Sequence, residues 1–159
     1  MKNKALVVLL MILAVTLISA NGMSQGNRME RSFTISWNPA RPAEPGAGSG
    51  MTVLSFDGSA LRPESGLLPV FVQAFPYDPA RQSVDKVTVT NPVFVPCPAQ
   101  ETAQVRGLEK ISPEIVVNQE TSVTRKVSSL AVSLVPLRRD SATGTVERLV
   151  SFTLVVEMK

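Results

Sequence analysis

The stretch VERLVSFTLVV, residues 146–156, decides the fold class of this chain. Apolar side chains stand at every second position, Val150, Phe152, Leu154 and Val156, while the polar Ser151 and Thr153 lie between them. A period of two predicts a β-strand with one face in a core, and the β-branched and aromatic residues favour the same conformation. We therefore predict a strand over residues 146–156 whose apolar face is buried.

A second alternating stretch precedes it. Residues 123–137 place Leu130, Val132 and Leu134 on one face. Residues 138–145 separate the two stretches and contain Asp140 and Gly144, which suit a turn in which Gly144 adopts a positive φ. The pattern predicts a long C-terminal antiparallel hairpin.

The rest of the chain repeats short strand signals. Apolar or alternating segments occupy residues 32–37, 51–56, 70–75, 84–90, 93–95 and 111–118. Turn-forming residues separate them, including a Pro- and Gly-rich segment over residues 38–50 and the pair Asn91-Pro92. No window shows a helical period. The expected fold class is all-β, an antiparallel β-sandwich or jelly-roll-like domain with a long C-terminal hairpin.

The N-terminus has the pattern of a secretory signal peptide. Lys2 and Lys4 precede an apolar run over residues 5–20 that ends in the small residues Ser19 and Ala20. This run is shorter than the roughly 20 residues that span a bilayer; an N-terminal membrane anchor is the alternative. We expect a signal peptide over residues 1–20, a flexible segment over 21–31, a single β-sandwich domain over 32–159, and no transmembrane segment after cleavage.

The charge distribution argues against a nucleic-acid partner. Cleavage after Ala20 removes Lys2 and Lys4 but no acid, which lowers the formal net charge from +3 to +1. The remaining basic residues are scattered, and Arg138-Arg139 is the only adjacent arginine pair. Nothing resembles a basic stripe that follows a phosphate backbone.

Residue chemistry excludes most catalytic sites. The chain has no histidine, so it holds no Ser-His-Asp triad, Cys-His dyad or imidazole metal ligand. Its single cysteine, Cys97, excludes an internal disulfide and a cysteine-based zinc site, and as a thiol between two prolines without a nearby base it is interpreted as incidental. The scattered acids are interpreted as solvated loop charges: Asp57, Glu64, Asp78 and Asp85. We expect no catalytic, cofactor-binding or metal-binding residue and no cofactor.

Two residue pairs keep a binding interpretation open. Trp37 and Tyr77 could stack on a sugar, although packing is the simpler explanation for a tryptophan at the end of a strand. Arg138 and Arg139 could contact an acidic partner, although arginines at a hairpin end are usually solvated.

Two regions of sequence resemble a known family. VLSFDGSA (53–60) followed by GLLPVF (66–71), and VPLRRDSATGTVERLVSF (135–152), are similar to the N-terminal region of the PorU-type sortases of the bacterial type IX secretion system, which are relatives of the gingipain cysteine peptidases. The family implies a β-rich domain ahead of a caspase-like catalytic domain with a His-Cys pair. No catalytic residue carries over, and Cys97 does not take the nucleophile's role.

The resemblance implies a location and a role. The expected function is that of a non-catalytic module of a type IX sortase, exported to the periplasm or the cell surface and associated with the outer membrane. Its partners would be a caspase-like peptidase domain or other type IX secretion components. The alternatives are a stand-alone secreted β-sandwich that binds a carbohydrate or a protein, and a propeptide-like inhibitor in which Arg81, Arg106 or Arg125 mimics a substrate.

Overall fold

The computed structural model describes residues 27–43, 50–62, 65–124 and 127–159. Within these residues the chain forms ten strands: β1 Arg28–Thr34, β2 Arg41–Pro42, β3 Thr52–Val53, β4 Ala60–Leu61, β5 Pro69–Pro76, β6 Val84–Pro96, β7 Val117–Thr124, β8 Val127–Leu134, β9 Leu137–Arg139 and β10 Val146–Met158. Two helical turns, α1 Ala99–Thr102 and a 3-10 turn Leu108–Lys110, lie between β6 and β7. The predicted all-β class is confirmed.

The strands form two antiparallel sheets. In the first sheet β10 lies between β1 and β6, and β9 pairs with the beginning of β10. The second sheet has the order β4-β5-β8-β7. Strands β2 and β3 form a separate two-stranded ribbon. Buried side chains from both sheets belong to one hydrophobic cluster, which makes the domain a β-sandwich.

Three phenylalanines connect the sheets at the centre of the core. Phe33 of β1 and Phe152 of β10 both contact Phe71 of β5, with ring centroids 5.0 and 5.2 Å apart and edge-to-face orientations. Phe152 is only 2% exposed. Such aromatic pairs add about 0.5–1.5 kcal/mol each beyond the area they bury.

A bulge corrects the predicted face of β10. Phe152, Leu154 and Val156 are buried as predicted, but Val150 is only partly buried and Leu149 takes the buried position instead. The pairing with β6 shifts between Leu149 and Ser151, so Val150 is the extra residue. One inserted residue reverses the alternation of side chains.

The long C-terminal hairpin is also corrected. β8 pairs with β5 and β7 in the second sheet, not with β10. The chain crosses to the first sheet at residues 135–136, and only the three residues of β9 pair with Val146–Arg148. Pro136 is fully buried at this crossing, where its carbonyl accepts a hydrogen bond from the Leu149 amide. Periodicity shows that two stretches are strands with a buried face, but it does not show which sheet each one joins.

Two other boundaries differ from the prediction. The pair Asn91-Pro92 does not end a strand, because β6 continues to Pro96. Asn91, which has a φ of 50°, and Pro92 form a second bulge, in which both residues lie opposite the single residue Phe152 of β10. β1 begins at Arg28, inside the segment expected to be flexible, since residues 28–31 pair with residues 154–157 of β10. The predicted signal peptide and residues 21–26 lie outside the described residues.

Candidate functional site

Cys97 is a buried structural thiol. It follows β6, its amide donates to the carbonyl of Val146, and its side chain packs in a small cluster with Leu54, Leu68 and Leu137. Burial raises the pKa of the thiol to about 11, against a smaller lowering effect from Arg148. A thiol with this pKa is almost entirely protonated at neutral pH, so Cys97 is not set up as a nucleophile.

The acidic residues do not converge on a site. Asp57 lies in the turn between β3 and β4, Asp78 pairs with Arg81 at 3.5 Å, and Asp85 pairs with Lys159. Glu64 lies outside the described residues. Across the described ranges, no three His, Cys, Asp or Glu side chains come close enough together to hold a metal ion.

Trp37 and Tyr77 pack against the core and do not form a stacking surface. The Trp37 ring meets Phe56 edge to face with centroids 5.2 Å apart, and its Nε1 donates to the carbonyl of Leu149 at 2.9 Å. The Tyr77 hydroxyl donates to the carbonyl of Gln82 at 3.1 Å. Both rings are partly buried against the main cluster. These contacts favour a packing role for both rings over a carbohydrate platform.

The adjacent arginines are engaged within the domain. Both Nε and Nη2 of Arg138 lie 2.7 Å from Oε2 of Glu147, and the guanidinium carbon lies 3.7 Å from the ring centroid of Phe94. Arg139 donates to the carbonyls of Gly144 and Leu108. The interpretation of these two side chains as solvated is therefore wrong. Both bind to other elements of the domain, Arg138 to Glu147 of β10 and Arg139 to the carbonyls of Gly144 and Leu108.

The three arginines considered as substrate mimics differ in their surroundings. Arg81 is 85% exposed in the loop between β5 and β6, where it pairs with Asp78. Arg106 is exposed and precedes Gly107, whose backbone packs against Ser65 and Gly66. Arg125 lies outside the described residues, between β7 and β8. Its nearest described apolar neighbours, Val123 and Val127, are 69% and 68% exposed.

Strand β6, the 13-residue strand at one edge of the first sheet, has a cleft beside its open edge. Strand β6 pairs with β10 on one side, and no described strand pairs with its other side. Val93 and Val95 of β6 are 52% and 39% exposed. A cleft of about 440 Å³ lies between β6 and residues 113–117, and its apolar lining includes Val87, Val89, Phe94, Ile115 and Val117. We call this region the β6 cleft.

The β6 cleft offers unpaired backbone groups next to apolar side chains. A free strand edge of this kind can accept an additional extended segment. Lys86 and Glu114 also line the cleft, as does Arg138, whose charge Glu147 offsets. Sequence reasoning missed this region because its two walls are separated by about 20 residues and only the sandwich brings them together.

Comparisons with known proteins place the fold. No protein-family model matches the chain. No curated protein matches it either. It is similar to a chain of the complex of the pro- and mature domains of RgpB from Porphyromonas gingivalis, with a TM-score of 0.53 and 12% identity over 84% of this chain and 80% of that chain.

A second solved structure agrees. It is gingipain K from Porphyromonas gingivalis, described for its zymogenic latency, with a TM-score of 0.62 and 14% identity over 86% of this chain and 89% of that chain. At these identities the likeness establishes the fold alone, so the chain shares its β-sandwich fold with these two gingipain structures. Among the described residues, no helix is long and apolar enough to cross a membrane.

Proposed function

We propose that this chain is a non-catalytic module that packs against a cysteine-peptidase domain. The observation that carries the proposal is the likeness of fold to two gingipain structures, one of them a complex of pro- and mature domains, over more than four fifths of this chain. The chemistry of the chain agrees, because the only thiol is buried with a raised pKa and the sequence has no histidine to activate it.

The β6 cleft is the surface through which we expect this contact. An open strand edge supplies backbone donors and acceptors. Val93 and Val95 do not line the cleft, because they point to the opposite face of β6 from Phe94, but they add exposed apolar area beside the same edge that a partner would cover. Asn91 and Pro92 interrupt the regular ladder of β6, which disfavours pairing between two copies of this edge. The partner is therefore expected to be a different protein surface.

A binding assay tests this contact. The chain without residues 1–20 is titrated against a purified gingipain-type cysteine peptidase, and complex formation and loss of peptidase activity are measured. Val95→Asp in β6 should weaken binding at least about tenfold, because it places a charge in an apolar contact. Val72→Asp in β5 is the matched control, since Val72 is equally exposed at 39% but lies in the other sheet.

The outcome separates the proposals. Equal weakening by both substitutions, or no complex with the unaltered chain, contradicts the β6 contact. Saturable binding of a carbohydrate in the absence of a peptidase would favour the stand-alone binding module, although the packing of Trp37 and Tyr77 does not support it.

Inhibition by substrate mimicry is a narrower form of the same proposal. An arginine that enters an arginine-specific active site would be accessible and free of competing ion pairs. Arg81 and Arg106 are both exposed, and Arg125 lies outside the described residues, so all three stay candidates. Separate Arg81→Ala, Arg106→Ala and Arg125→Ala variants test them. Loss of inhibition with one variant alone identifies the arginine that mimics the substrate, and unchanged inhibition by all three contradicts substrate mimicry.

We also propose that the chain is a module of a type IX sortase, exported to the outer membrane. The sequence resemblance to PorU-type sortases and the leader pattern over residues 1–20 support an exported module of the type IX system at the outer membrane. N-terminal sequencing of the protein recovered from a Gram-negative envelope should find cleavage near Ala20. An intact Met1 terminus would instead favour a membrane anchor.

A further inference from the structure

The hydrogen bonds between β1 and β10 fix the direction of the backbone groups in β6. The Met158 amide donates to the carbonyl of Asn27, and the Ile35 amide donates to the carbonyl of Val150. Because the direction of hydrogen bonding alternates along an antiparallel strand, the even-numbered residues of β10 direct their amides and carbonyls toward β1. The odd-numbered residues of β10 therefore direct theirs toward β6.

Val87 and Val89 present their backbone groups at the open edge of β6. Thr88 lies opposite Val155, an odd-numbered residue of β10, so its amide and carbonyl pair within the sheet. The residues on either side of Thr88 point the other way, away from β10. Two amides and two carbonyls thus stand at the open edge, with about 7 Å between the two residues along the strand.

The side chains of the same two residues face the β6 cleft. Val87 and Val89 lie opposite the fully buried Val156 and Leu154, and both line the cleft across from residues 113–117. An apolar cavity of roughly 150 Å³ holds one benzene molecule, so the cleft of about 440 Å³ has room for three apolar side chains of that size. Every second side chain of a strand added at this edge would enter the cleft, and about five residues would supply three.

The charges in the cleft favour an uncharged segment. Lys86 and Glu114 line it with opposite formal charges, and the charge of Arg138 is offset by Glu147. An apolar cleft with no excess charge is complementary to a segment that has apolar side chains and no charged ones.

The second bulge limits the length of the edge that can pair. Asn91, at φ 50°, departs from the extended backbone, and Pro92 has no amide hydrogen to donate. Bulges and prolines are devices that protect strand edges from pairing. The part of β6 that precedes the bulge, residues 84–90, contains no proline, so its edge stays open to pairing.

We propose that residues 86–90 of β6 accept an extended, uncharged segment with apolar side chains at alternate positions as an additional strand of the first sheet. The segment would bond to the backbone of Val87 and Val89 and place its apolar side chains in the β6 cleft. This inference rests on the proposed function for the source of the segment, the peptidase domain, and on the geometry of the edge for its chemistry.

Amide hydrogen exchange, followed residue by residue by NMR, tests the proposal on the chain without residues 1–20. The chain is measured alone, with a purified gingipain-type cysteine peptidase, and with the peptide acetyl-Val-Thr-Val-Thr-Val-amide. In the chain alone, the amides of Val87 and Val89 should exchange at least about tenfold faster than that of Thr88. Each probe should slow the exchange of Val87 and Val89 at least about tenfold at saturation and leave Thr88 nearly unchanged.

The two probes separate this proposal from the proposed function. Protection of Val87 and Val89 by either probe supports strand addition, and protection by neither overturns it, whether or not the peptidase forms a complex. Protection by the peptide without a peptidase complex contradicts the proposed function alone. Protection that grows with the concentration of the chain by itself would identify a second copy as the occupant and overturns the proposal.

Proline substitutions test the direction of the backbone groups. Val89→Pro removes a donor that faces the open edge, where proline is tolerated, whereas Thr88→Pro removes a bond to β10 and should lower the midpoint of thermal unfolding far more. Val89→Ala loses the same side chain but keeps the amide, so it is the matched control. The peptide should bind Val89→Pro about tenfold more weakly than Val89→Ala. Equal binding by these two variants overturns the proposal, and hydrogen exchange of the unaltered chain decides if Val89→Pro does not fold.

Discussion

The indole Nε1 of Trp37 donates a hydrogen bond to the carbonyl of Leu149, 2.9 Å away. This bond ties the segment after β1 to β10 at the residue before its bulge. Next to it, the Ile35 amide donates to the carbonyl of Val150. The Ile35 bond continues the register of the β1–β10 ladder, and the Trp37 side chain then satisfies one more carbonyl of β10, beyond the last residue of β1.

Trp37→Phe tests this relationship. The phenyl ring keeps much of the packing on Phe56 but removes the donor, so the carbonyl of the fully buried Leu149 loses this partner. We expect a loss of about 1–3 kcal/mol in the free energy of unfolding, measured in urea. Tyr77→Phe, which removes a hydrogen bond in a surface loop, is the control and should cost less. Equal losses in the two variants would contradict a special role for the Trp37 bond.

Phe152→Ala should be among the most destabilising substitutions in the chain. The ring is 2% exposed and contacts both Phe33 and Phe71, so its removal leaves a cavity between the two sheets. We expect a loss of about 3–5 kcal/mol, from chemical denaturation. Val127→Ala, at a side chain that is 68% exposed, should change stability by less than about 0.5 kcal/mol. A loss below about 1 kcal/mol for Phe152→Ala would show that the two sheets do not pack through this ring.

Cys97 should resist alkylation in the native state. Burial raises its pKa from 9.0 to about 11, so the native thiol is protonated and shielded at pH 8, whereas the unfolded thiol is partly ionised. Iodoacetamide should modify the protein slowly in buffer and quickly in denaturant. Rapid modification of the native protein would show that Cys97 is accessible.

The same thiol predicts a decline in stability at alkaline pH. The pKa of Cys97 is higher in the folded state than in the unfolded state. The protonated thiol therefore contributes fully to the free energy of unfolding below pH 9, and this contribution is lost as the pH rises toward 11. The difference in unfolding free energy between the unaltered chain and Cys97→Ala should therefore shrink over this interval. Tyrosine and lysine residues ionise in both proteins, so their effect cancels in this difference. If the difference in unfolding free energy stays constant between pH 9 and 11, the raised pKa of Cys97 is contradicted.

Asp140 predicts the opposite dependence at acidic pH. Hydrogen bonds from the backbone amide and the hydroxyl of Thr143, and from the amide of Ala142, lower the pKa of this carboxylate below 3.8. Because the pKa of Asp140 is lower in the folded state than in the unfolded state, its charge stabilises the fold at any pH above the unfolded-state pKa. This stabilisation is lost as the pH falls through the folded-state pKa. Asp140→Asn should be less stable than the unaltered chain at pH 7 and closer to it at pH 2.5. If the difference in unfolding free energy between the two proteins is the same at pH 2.5 as at pH 7, the charge of Asp140 does not stabilise the fold.

Local patterns in the sequence were sufficient for the existence of most strands and for the inward faces of β8 and of β10 after its bulge. The alternation around Leu130, Val132 and Leu134 and that around Phe152, Leu154 and Val156 both survive in the structure, because side chains on a pleated strand alternate whatever the strand pairs with. The absence of histidine and the presence of one cysteine were also enough to exclude most catalytic sites. These inferences depend on composition and on neighbours a few residues apart.

Only the tertiary structure decided which strands pair and which surfaces remain open. The sequence predicted that β8 and β10 form one long hairpin, but Pro136 leads the chain from one sheet to the other, and β10 pairs with β1 and β6 from distant parts of the chain. The ion pair between Arg138 and Glu147 and the β6 cleft likewise join residues from separate elements. Period-two alternation carries no information on sheet partners, because every antiparallel pairing that buries the same face satisfies it equally well.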